Sequence, residues 1–390
     1  MTDTTLEPPG TTAQPPQAQV MPQAPPAQVM PQAPPAPEAP AALDPRFYTD
    51  PGVYAAACRR VFEPAWHYAC HVSAVPETGD YVAFTLMDQD LFVVRGRGGE
   101  LRCFFNVCQH RGHTLVEGTG RARVLVCPYH AWAYELDGRL RGAPATKRSP
   151  GFRKSGICLT EVRLEVFLGF VFVSLDPEAA AMDTLYPGVR EAALALCPDL
   201  ESRRLAHEHE AVEGCNWLIA VENYNECYHC GHVHKSFADG VIEPGSYDIQ
   251  PFGAGRVLRH SSRAAAGTGA WYDTSGSDYG SFYLFPLFSL QIYPGGVVNT
   301  YYWRPTAHDD TVVHRGWFSR DGVVDDQLQT VIDLDRETTF AEDLALVRRV
   351  QRGLASRGYR PGPLVLSPDG GIDSEHSIAA LHSWVREALG

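Results

Sequence analysis

Two short segments of this chain each set one thiol beside one imidazole: Cys108-Gln109-His110 and, after sixteen intervening residues, Cys127-Pro128-Tyr129-His130. Two thiolates and two neutral imidazoles can hold a [2Fe-2S] cluster, with the cysteines on one iron and the histidines on the other. Exchanging two anionic ligands for neutral ones makes such a cluster easier to reduce than an all-cysteine cluster. Structural zinc uses the same donors, but its paired ligands usually have at least two residues between them, and the Cys-x-His pair is tighter. The chemistry indicated is the storage and transfer of single electrons.

A second constellation lies at Glu222-Asn223-Tyr224-Asn225-Glu226-Cys227-Tyr228-His229-Cys230-Gly231-His232-Val233-His234. Two histidines and a carboxylate around an open face are the usual site for iron(II) that activates dioxygen. His229 and His232 share a helical face at a spacing of three. His234 lies five residues beyond His229, about 140° around an ideal helix, so pairing these two needs a helix end or bulge near Gly231. On the residues alone both pairings stay open, and a further ligand must come from elsewhere in the chain.

The neighbours of the two cluster segments, Arg111-Gly112-His113 and Ala131-Trp132-Ala133-Tyr134-Glu135-Leu136-Asp137-Gly138-Arg139-Leu140, make the region resemble the large (alpha) subunits of the Rieske non-haem iron oxygenases. The resemblance covers about residues 45 to 390. It implies a Rieske [2Fe-2S] cluster on Cys108, His110, Cys127 and His130, and a mononuclear Fe(II) held by His229 and His234, the histidines of an acid-x2-His-x4-His signature. The third iron ligand it implies is Asp343, in the stretch Glu342-Asp343-Leu344-Ala345-Leu346-Val347-Arg348-Arg349-Val350-Gln351-Arg352-Gly353-Leu354. Glu342 and Asp335 are expected to be ordinary exposed helix carboxylates. Glu226 is similar to the acid that bridges an iron histidine to a cluster histidine of a neighbouring subunit, which implies a homotrimer.

Most of that family carries aspartate at the bridging place. Glu226-Cys227-Tyr228-His229-Cys230 resembles the branch acting on quaternary ammonium compounds such as choline, glycine betaine, carnitine and stachydrine. The expectation is a terminal oxygenase that uses O2 and electrons from a separate NAD(P)H-dependent flavin/iron-sulfur reductase, and that N-demethylates a betaine-type cation with release of formaldehyde. Alternatives are a choline- or carnitine-type monooxygenase, an aromatic-ring hydroxylating alpha subunit, and a Rieske electron-transfer protein without oxygenase activity. A cation of this kind is held mainly by aromatic faces and carboxylates. Eleven aromatic residues between Trp271 and Trp303 supply candidates, of which at most a quarter are expected to touch substrate, since aromatics commonly fill cores.

The elements that must position these residues read as an α+β chain. Residues 1–43 form a Pro/Ala/Gln-rich tail with the nonapeptide AQVMPQAPP repeated at once, a composition that cannot offset its ordering entropy. Residues 44–64 are expected to carry a helix (about Thr49 to Phe62) packed on the catalytic part, 65–175 an all-β cluster domain, and 176–390 a catalytic domain that the resemblance makes a helix-grip fold around an antiparallel sheet. Alternating runs such as Tyr81–Leu86 and Leu91–Arg95 predict strands. Helices are predicted over Pro187–Leu196, Asp325–Leu354 and Ser374–Leu389, and strands over Phe282–Tyr293 and Val297–Arg304.

A chain of 390 residues with 44% hydrophobic residues can bury a large core. Its net charge of −13 opposes attraction to nucleic acid or anionic membrane and suits a cationic substrate or basic redox partner. Its first residues carry no basic or apolar leader pattern, no run reaches the length of a membrane span, and a cytoplasmic location is expected. Ten cysteines are too sparse for a disulfide framework, so those outside the cluster are read as small buried residues. Gly96-Arg97-Gly98-Gly99 lacks the following helix of a dinucleotide site and reads as a hairpin turn.

Overall fold

The computed structural model describes residues 40–265, 270–272 and 278–390; the tail up to residue 39, with its repeat, lies outside them. The chain packs earlier than the sequence suggests. The Ala42 N–H donates to the Gly362 carbonyl and the Pro40 carbonyl accepts from Leu364, because a proline lacks a donor but not an acceptor. Helices α1 (Arg46–Thr49) and α2 (Pro51–Ala57) follow, the latter capped by the Asp50 carboxylate on the Gly52 N–H and continued by a wide turn over Cys58–Phe62. Val61 and Phe62 are buried there, while Val53 and Cys58 are partly buried.

The next ten strands are β1 (His67–His71), β2 (Asp80–Leu86), β3 (Gln89–Arg95), β4 (Leu101–Phe105), β5 (Thr119–Arg121), β6 (Leu125–Val126), β7 (Ala133–Tyr134), β8 (Leu140–Gly142), β9 (Glu161–Phe167) and β10 (Phe170–Ser174). They form a seven-stranded sheet, in the order β1-β10-β9-β4-β3-β2-β5, and a small sheet β6-β7-β8. Strand alternation splits the packing. Phe92 and Val94 join Phe104, Trp132 and Tyr134 in the core beneath the cluster loops, whereas Leu91 and Val93 join Cys103, Val171 and Val173 on the opposite face. Gly96–Gly99 closes the β3–β4 hairpin, as read.

Beyond α3 (Met182–Leu185) and α4 (Val189–Leu196), a second seven-stranded antiparallel sheet is built from β11 (Arg204–Val212), β12 (Asp248–Pro251), β13 (Val257–Ser262), β14 (Tyr279–Leu284), β15 (Phe288–Ile292), β16 (Val298–Ala307) and β17 (Asp310–Ser319), in the order β11-β17-β16-β15-β14-β13-β12. The run predicted as one strand over Phe282–Tyr293 is two strands, because Pro286 has no N–H for a ladder and turns the chain. Parity again decides the faces. Tyr302, His314 and Phe288 pack against Tyr68 of β1, while Tyr301, Trp303 and Arg315 point to the other side.

That other side is covered by α5 (Trp217–Tyr224), α6 (Cys230–Val233), α7 (Lys235–Gly240), α8 (Asp326–Asp335), α9 (Ala341–Leu354) and α10 (His376–Leu389). The predicted helix over Asp325–Leu354 is α8, a wide turn over Arg336–Phe340, and α9. Here one expectation fails: Asp335 is 3% exposed and ion-pairs with the fully buried Arg315. The guanidinium also donates to the Tyr301 hydroxyl at 2.8 Å and lies 4.5 Å from the ring centres of both Tyr301 and Phe340.

Removing one partner of such a pair strands a buried charge. Asp335→Asn is expected to lower unfolding free energy by about 3–5 kcal/mol, read as a fall in the urea midpoint. A variant within about 0.5 kcal/mol of the parent would contradict that account.

Candidate active site

The site is assembled by two helices held at two points. Asn216 caps α5 by accepting from the Leu218 N–H at 2.9 Å, and its own N–H donates to Gln351 Oε1 of α9 at 2.7 Å. Seven residues on, the Asn223 amide donates to Asp343 Oδ1 at 3.0 Å. After α5 the chain turns through Glu226, and His229 and His234 sit at the two ends of the one-turn helix α6. The helix break that this pairing requires falls at His234, with ψ 56°, rather than at Gly231. His232 is exposed and lies outside the cluster formed by the other two.

His229 Nε2 stands 2.9 Å from His234 Nε2 and 3.5 Å from Asp343 Oδ1, and His234 Nε2 stands 2.9 Å from Asp343 Oδ1. Metal–ligand bonds of about 2.1 Å at right angles put neighbouring ligands about 3 Å apart. The three atoms thus fit one face of a coordination shell whose other face is open, the arrangement suited to iron(II). Each histidine is oriented from behind: His229 Nδ1 meets Glu226 Oε1, and His234 Nδ1 meets Glu342 Oε2 at 2.8 Å. Glu342, although its side chain stays 40% exposed, is therefore engaged by His234 and not the free surface carboxylate that the sequence suggests. Burial opposes charge on His229, yet Asp343 and Glu226 raise its pKa to about 10, a sign that the pocket favours a cation at this point.

The cluster segments are conformational twins. In each, the cysteine N–H donates to a carbonyl five residues on, Cys108 to His113 and Cys127 to Trp132, both at 2.8 Å. In each, the residue four places on donates back to the cysteine carbonyl at 3.0 Å from a left-handed backbone: Gly112 at φ +72° and Ala131 at φ +55°. The left-handed alanine costs about 1 kcal/mol, which the surrounding loop must outweigh. Both thiols are buried, and the His110 and His130 rings lie 4.6 Å apart, with His110 stacked on Trp132. Two inward thiols and two outward imidazoles fit a [2Fe-2S] centre. Tyr134, a residue of the quoted motif not singled out from sequence, places its hydroxyl 3.2 Å from Cys108 Sγ while accepting the Gln109 N–H at 3.0 Å. Its proton is left for the sulfur.

Cys227 and Cys230 form a disulfide around His229, and Cys158 is exposed, so the reading of all non-cluster cysteines as isolated buried residues is corrected. One turn of chain brings the Cys227 and Cys230 α-carbons to 4.9 Å, within bridging range.

A cavity of about 70 Å³ adjoins the His229, His234 and Asp343 cluster. Of the eleven aromatics between Trp271 and Trp303, Tyr279, Tyr293, Tyr301 and Trp303 line it, joined by Tyr224, Tyr247, Phe237 and Phe340 from elsewhere. Glu213 also lines it; burial first, then the Asp343 carboxylate, pushes its pKa up to about 8. Sequence reasoning missed Glu213, which reads as a loop acid just before a helix cap. A larger cavity of about 890 Å³, between the Cys58–Phe62 turn and the β2–β3 hairpin, holds none of the sequence-predicted site residues.

Comparison with known proteins matches residues 65–162 to the family described as "Rieske [2Fe-2S] domain" and residues 200–390 to "Ring hydroxylating alpha subunit (catalytic domain)". The carnitine monooxygenase oxygenase subunit of Escherichia coli K12 is 34% identical over 354 residues, covering 88% of this chain and 92% of that protein. This chain belongs to the Rieske non-haem iron oxygenases. A glycine betaine monooxygenase oxygenase subunit of Chromohalobacter salexigens is 36% identical, but over only 50% of this chain and 44% of its own length. Among solved structures, the quaternary ammonium Rieske monooxygenase CntA in complex with L-carnitine superposes with a TM-score of 0.81 at 29% identity, covering 90% of this chain and 97% of that one. This oxygenase is accordingly a Rieske [2Fe-2S] and mononuclear iron enzyme, and among its described residues no helix is long and apolar enough to cross a membrane.

Two substitutions probe the site. Tyr134→Phe removes the proton aimed at Cys108 Sγ and should lower the cluster's reduction potential by the equivalent of about 1 kcal/mol, with cluster content unchanged in a potentiometric titration. Glu342→Ala leaves His234 Nδ1 unsupported and should weaken iron binding at least about tenfold, measured by chelator competition; unaltered affinity would remove Glu342 from the site.

Proposed function

We propose that this chain is the terminal oxygenase of a carnitine- or choline-type quaternary ammonium monooxygenase, drawing electrons from an NAD(P)H-dependent reductase. The observation that carries the reading is the union of an open His229, His234 and Asp343 face with a cavity walled by Tyr224, Tyr279, Tyr293, Tyr301 and Trp303 and containing a carboxylate, Glu213, with one buried oxygen that has no partner. Aromatic faces and anionic oxygens are what a cation without a hydrogen-bond donor requires. The extent of the likeness to the carnitine enzymes, nearly full length against half length for the glycine betaine enzyme, favours this substrate class over the betaine demethylation expected from sequence.

In this reading Cys108, Cys127, His110 and His130 hold the cluster, and His229, His234 and Asp343 hold the iron. When bound, the two centres supply stored single electrons and the activation of dioxygen. The chain's own residues do the rest. Glu226 and Glu342 fix the two imidazoles with Nε2 inward, the Asn223 amide steadies Asp343, and the aromatic wall excludes water and presents a C–H bond beside the cationic nitrogen to the open face. Oxidation of that carbon leaves a carbinolamine that collapses by C–N cleavage: attack on a methyl group releases formaldehyde, and attack on the chain methylene releases a tertiary amine; where the oxidised carbon instead carries an alcohol, as in choline, the product is an aldehyde hydrate and the C–N bond stays intact. Glu226, partly exposed beside Tyr228, is the residue proposed to meet a cluster histidine of a second copy in a homotrimer. A cytoplasmic setting, where such a reductase is available, belongs to the same proposal.

With a partner reductase and NADH, carnitine should drive oxygen uptake and C–N cleavage, and His229→Ala should abolish both while the visible cluster spectrum persists. Turnover of glycine betaine but not carnitine or choline, or a cis-diol formed from an arene, would overturn the assignment.

A further inference from the structure

Four carboxylates line the cavity beside the iron ligands: Glu213, Glu226, Asp335 and Asp343. Three are committed. Glu226 takes His229 and two backbone N–H groups, Asp335 takes Arg315, and Asp343 takes both histidines and the Asn223 amide. Glu213 differs. The residue is 7% exposed, and its Oε2 is buried with no hydrogen-bond partner.

Its surroundings explain both its placement and the oxygen left without a partner. Glu213 follows β11 at a position that extends the parity of His209 and Ala211, and its N–H donates to the Thr311 carbonyl of β17 at 2.9 Å. Its side chain therefore emerges on the helix-covered face, next to Trp303. Of the two arginines whose charge reaches it, Arg315 is paired with Asp335, and Arg348 is spent on backbone: its Nε donates to the Glu213 carbonyl at 3.1 Å and its Nη2 to the Val212 carbonyl at 2.7 Å. A buried carboxylate oxygen without a partner is costly, and a fold retains one where something else completes it. Trp303, Tyr301 and Tyr224, which line the same cavity, present aromatic faces that attract a cation, and the Trp303 side chain hydrogen-bonds the Glu213 carboxyl while leaving Oε2 without a partner.

We propose that Glu213 is the counter-charge for the substrate's quaternary ammonium head, held against the aromatic faces of Trp303, Tyr301 and Tyr224, and so determines selection of cations over neutral molecules of the same shape. This rests on the substrate class proposed above. A trimethylammonium group cannot donate an ordinary hydrogen bond, but its methyl hydrogens are polarised by the positive nitrogen, and its attraction to a carboxylate in a water-poor cavity is strong and favours the ionised form of a carboxyl that burial otherwise holds towards the protonated one. Glu213 touches no iron ligand through a hydrogen bond, so it acts as a specificity residue whose removal leaves the metal centres in place.

The test is equilibrium binding to the iron- and cluster-loaded oxygenase of two probes: carnitine, and its analogue in which the ammonium nitrogen is replaced by a quaternary carbon. The parent protein should prefer carnitine, and Glu213→Gln should weaken carnitine binding by about tenfold or more while leaving the neutral analogue's affinity, the iron content and the cluster spectrum as they were. Glu213→Asp, which keeps the charge, should retain the preference for the cation and serves where the glutamine variant folds poorly. Equal weakening of both probes in Glu213→Gln, undiminished carnitine affinity, or loss of the cation preference in Glu213→Asp would overturn the role of Glu213. A parent protein that does not distinguish the two probes would instead overturn the substrate class itself, and the proposal with it.

Discussion

The hydrogen bond from the Asn223 amide to Asp343, together with the one from the Asn216 N–H to Gln351, fixes how α9 lies against α5. Eight residues of α9 span about 12 Å and seven residues of α5 about 10.5 Å, so the two bonds match in spacing, and their reversed order makes the helices antiparallel. One bond would leave α9 free to pivot. Two bonds set its register, and register is what delivers Asp343 to histidines more than a hundred residues away in sequence. The far end of α5 is tied as well, since Glu222 accepts from Tyr48 at 2.8 Å and from His382 at 3.0 Å, joining the first and last helices to the same element. The quoted glutamine eight places after Asp343 thus has a mechanical role.

A recurring device in this oxygenase is a polar group fixed from behind so that its working side can face inward without a partner. Glu226 and Glu342 do this for the two imidazoles, and Tyr134 does a related service for Cys108 by accepting a backbone N–H and offering its own proton. Arg315 and Asp335 pair beneath the aromatic wall through the guanidinium Nη2, which also donates to the Tyr301 hydroxyl. Such arrangements are stable only when every member keeps its partner. The whole site is consequently more sensitive to loss of one supporting carboxylate than the number of direct ligands suggests.

The cluster segments were legible in the sequence because their chemistry is local: thiol and imidazole are neighbours, and the backbone twin of each loop closes within six residues. The strands of the first sheet were legible from period-two alternation in Tyr81–Leu86 and Leu91–Arg95. The pairing of His229 with His234 rested on resemblance, since an ideal helix favours His232, and what resolves it is a break at His234 that no residue type announces. Asp335 and Glu342 were misread because a carboxylate on a helix looks solvated until a strand or a loop from far away supplies Arg315 or His234. Glu213 was invisible for the same reason. The Phe282–Tyr293 run shows the converse: Pro286 was present to be read, and hydrophobicity on both faces hid the turn it makes.

Strand parity in the second sheet has a consequence for how this enzyme can diversify. On β16, Tyr301 and Trp303 face the cavity while Tyr302 faces Tyr68 and the cluster-bearing half of the chain. Selectivity and docking are therefore written on alternate letters of the same strand. Drift, or a library confined to the cavity-facing letters, can reshape what is recognised while the letters between them keep the electron-storing half seated, so that substrate range is free to change faster than the machinery it serves.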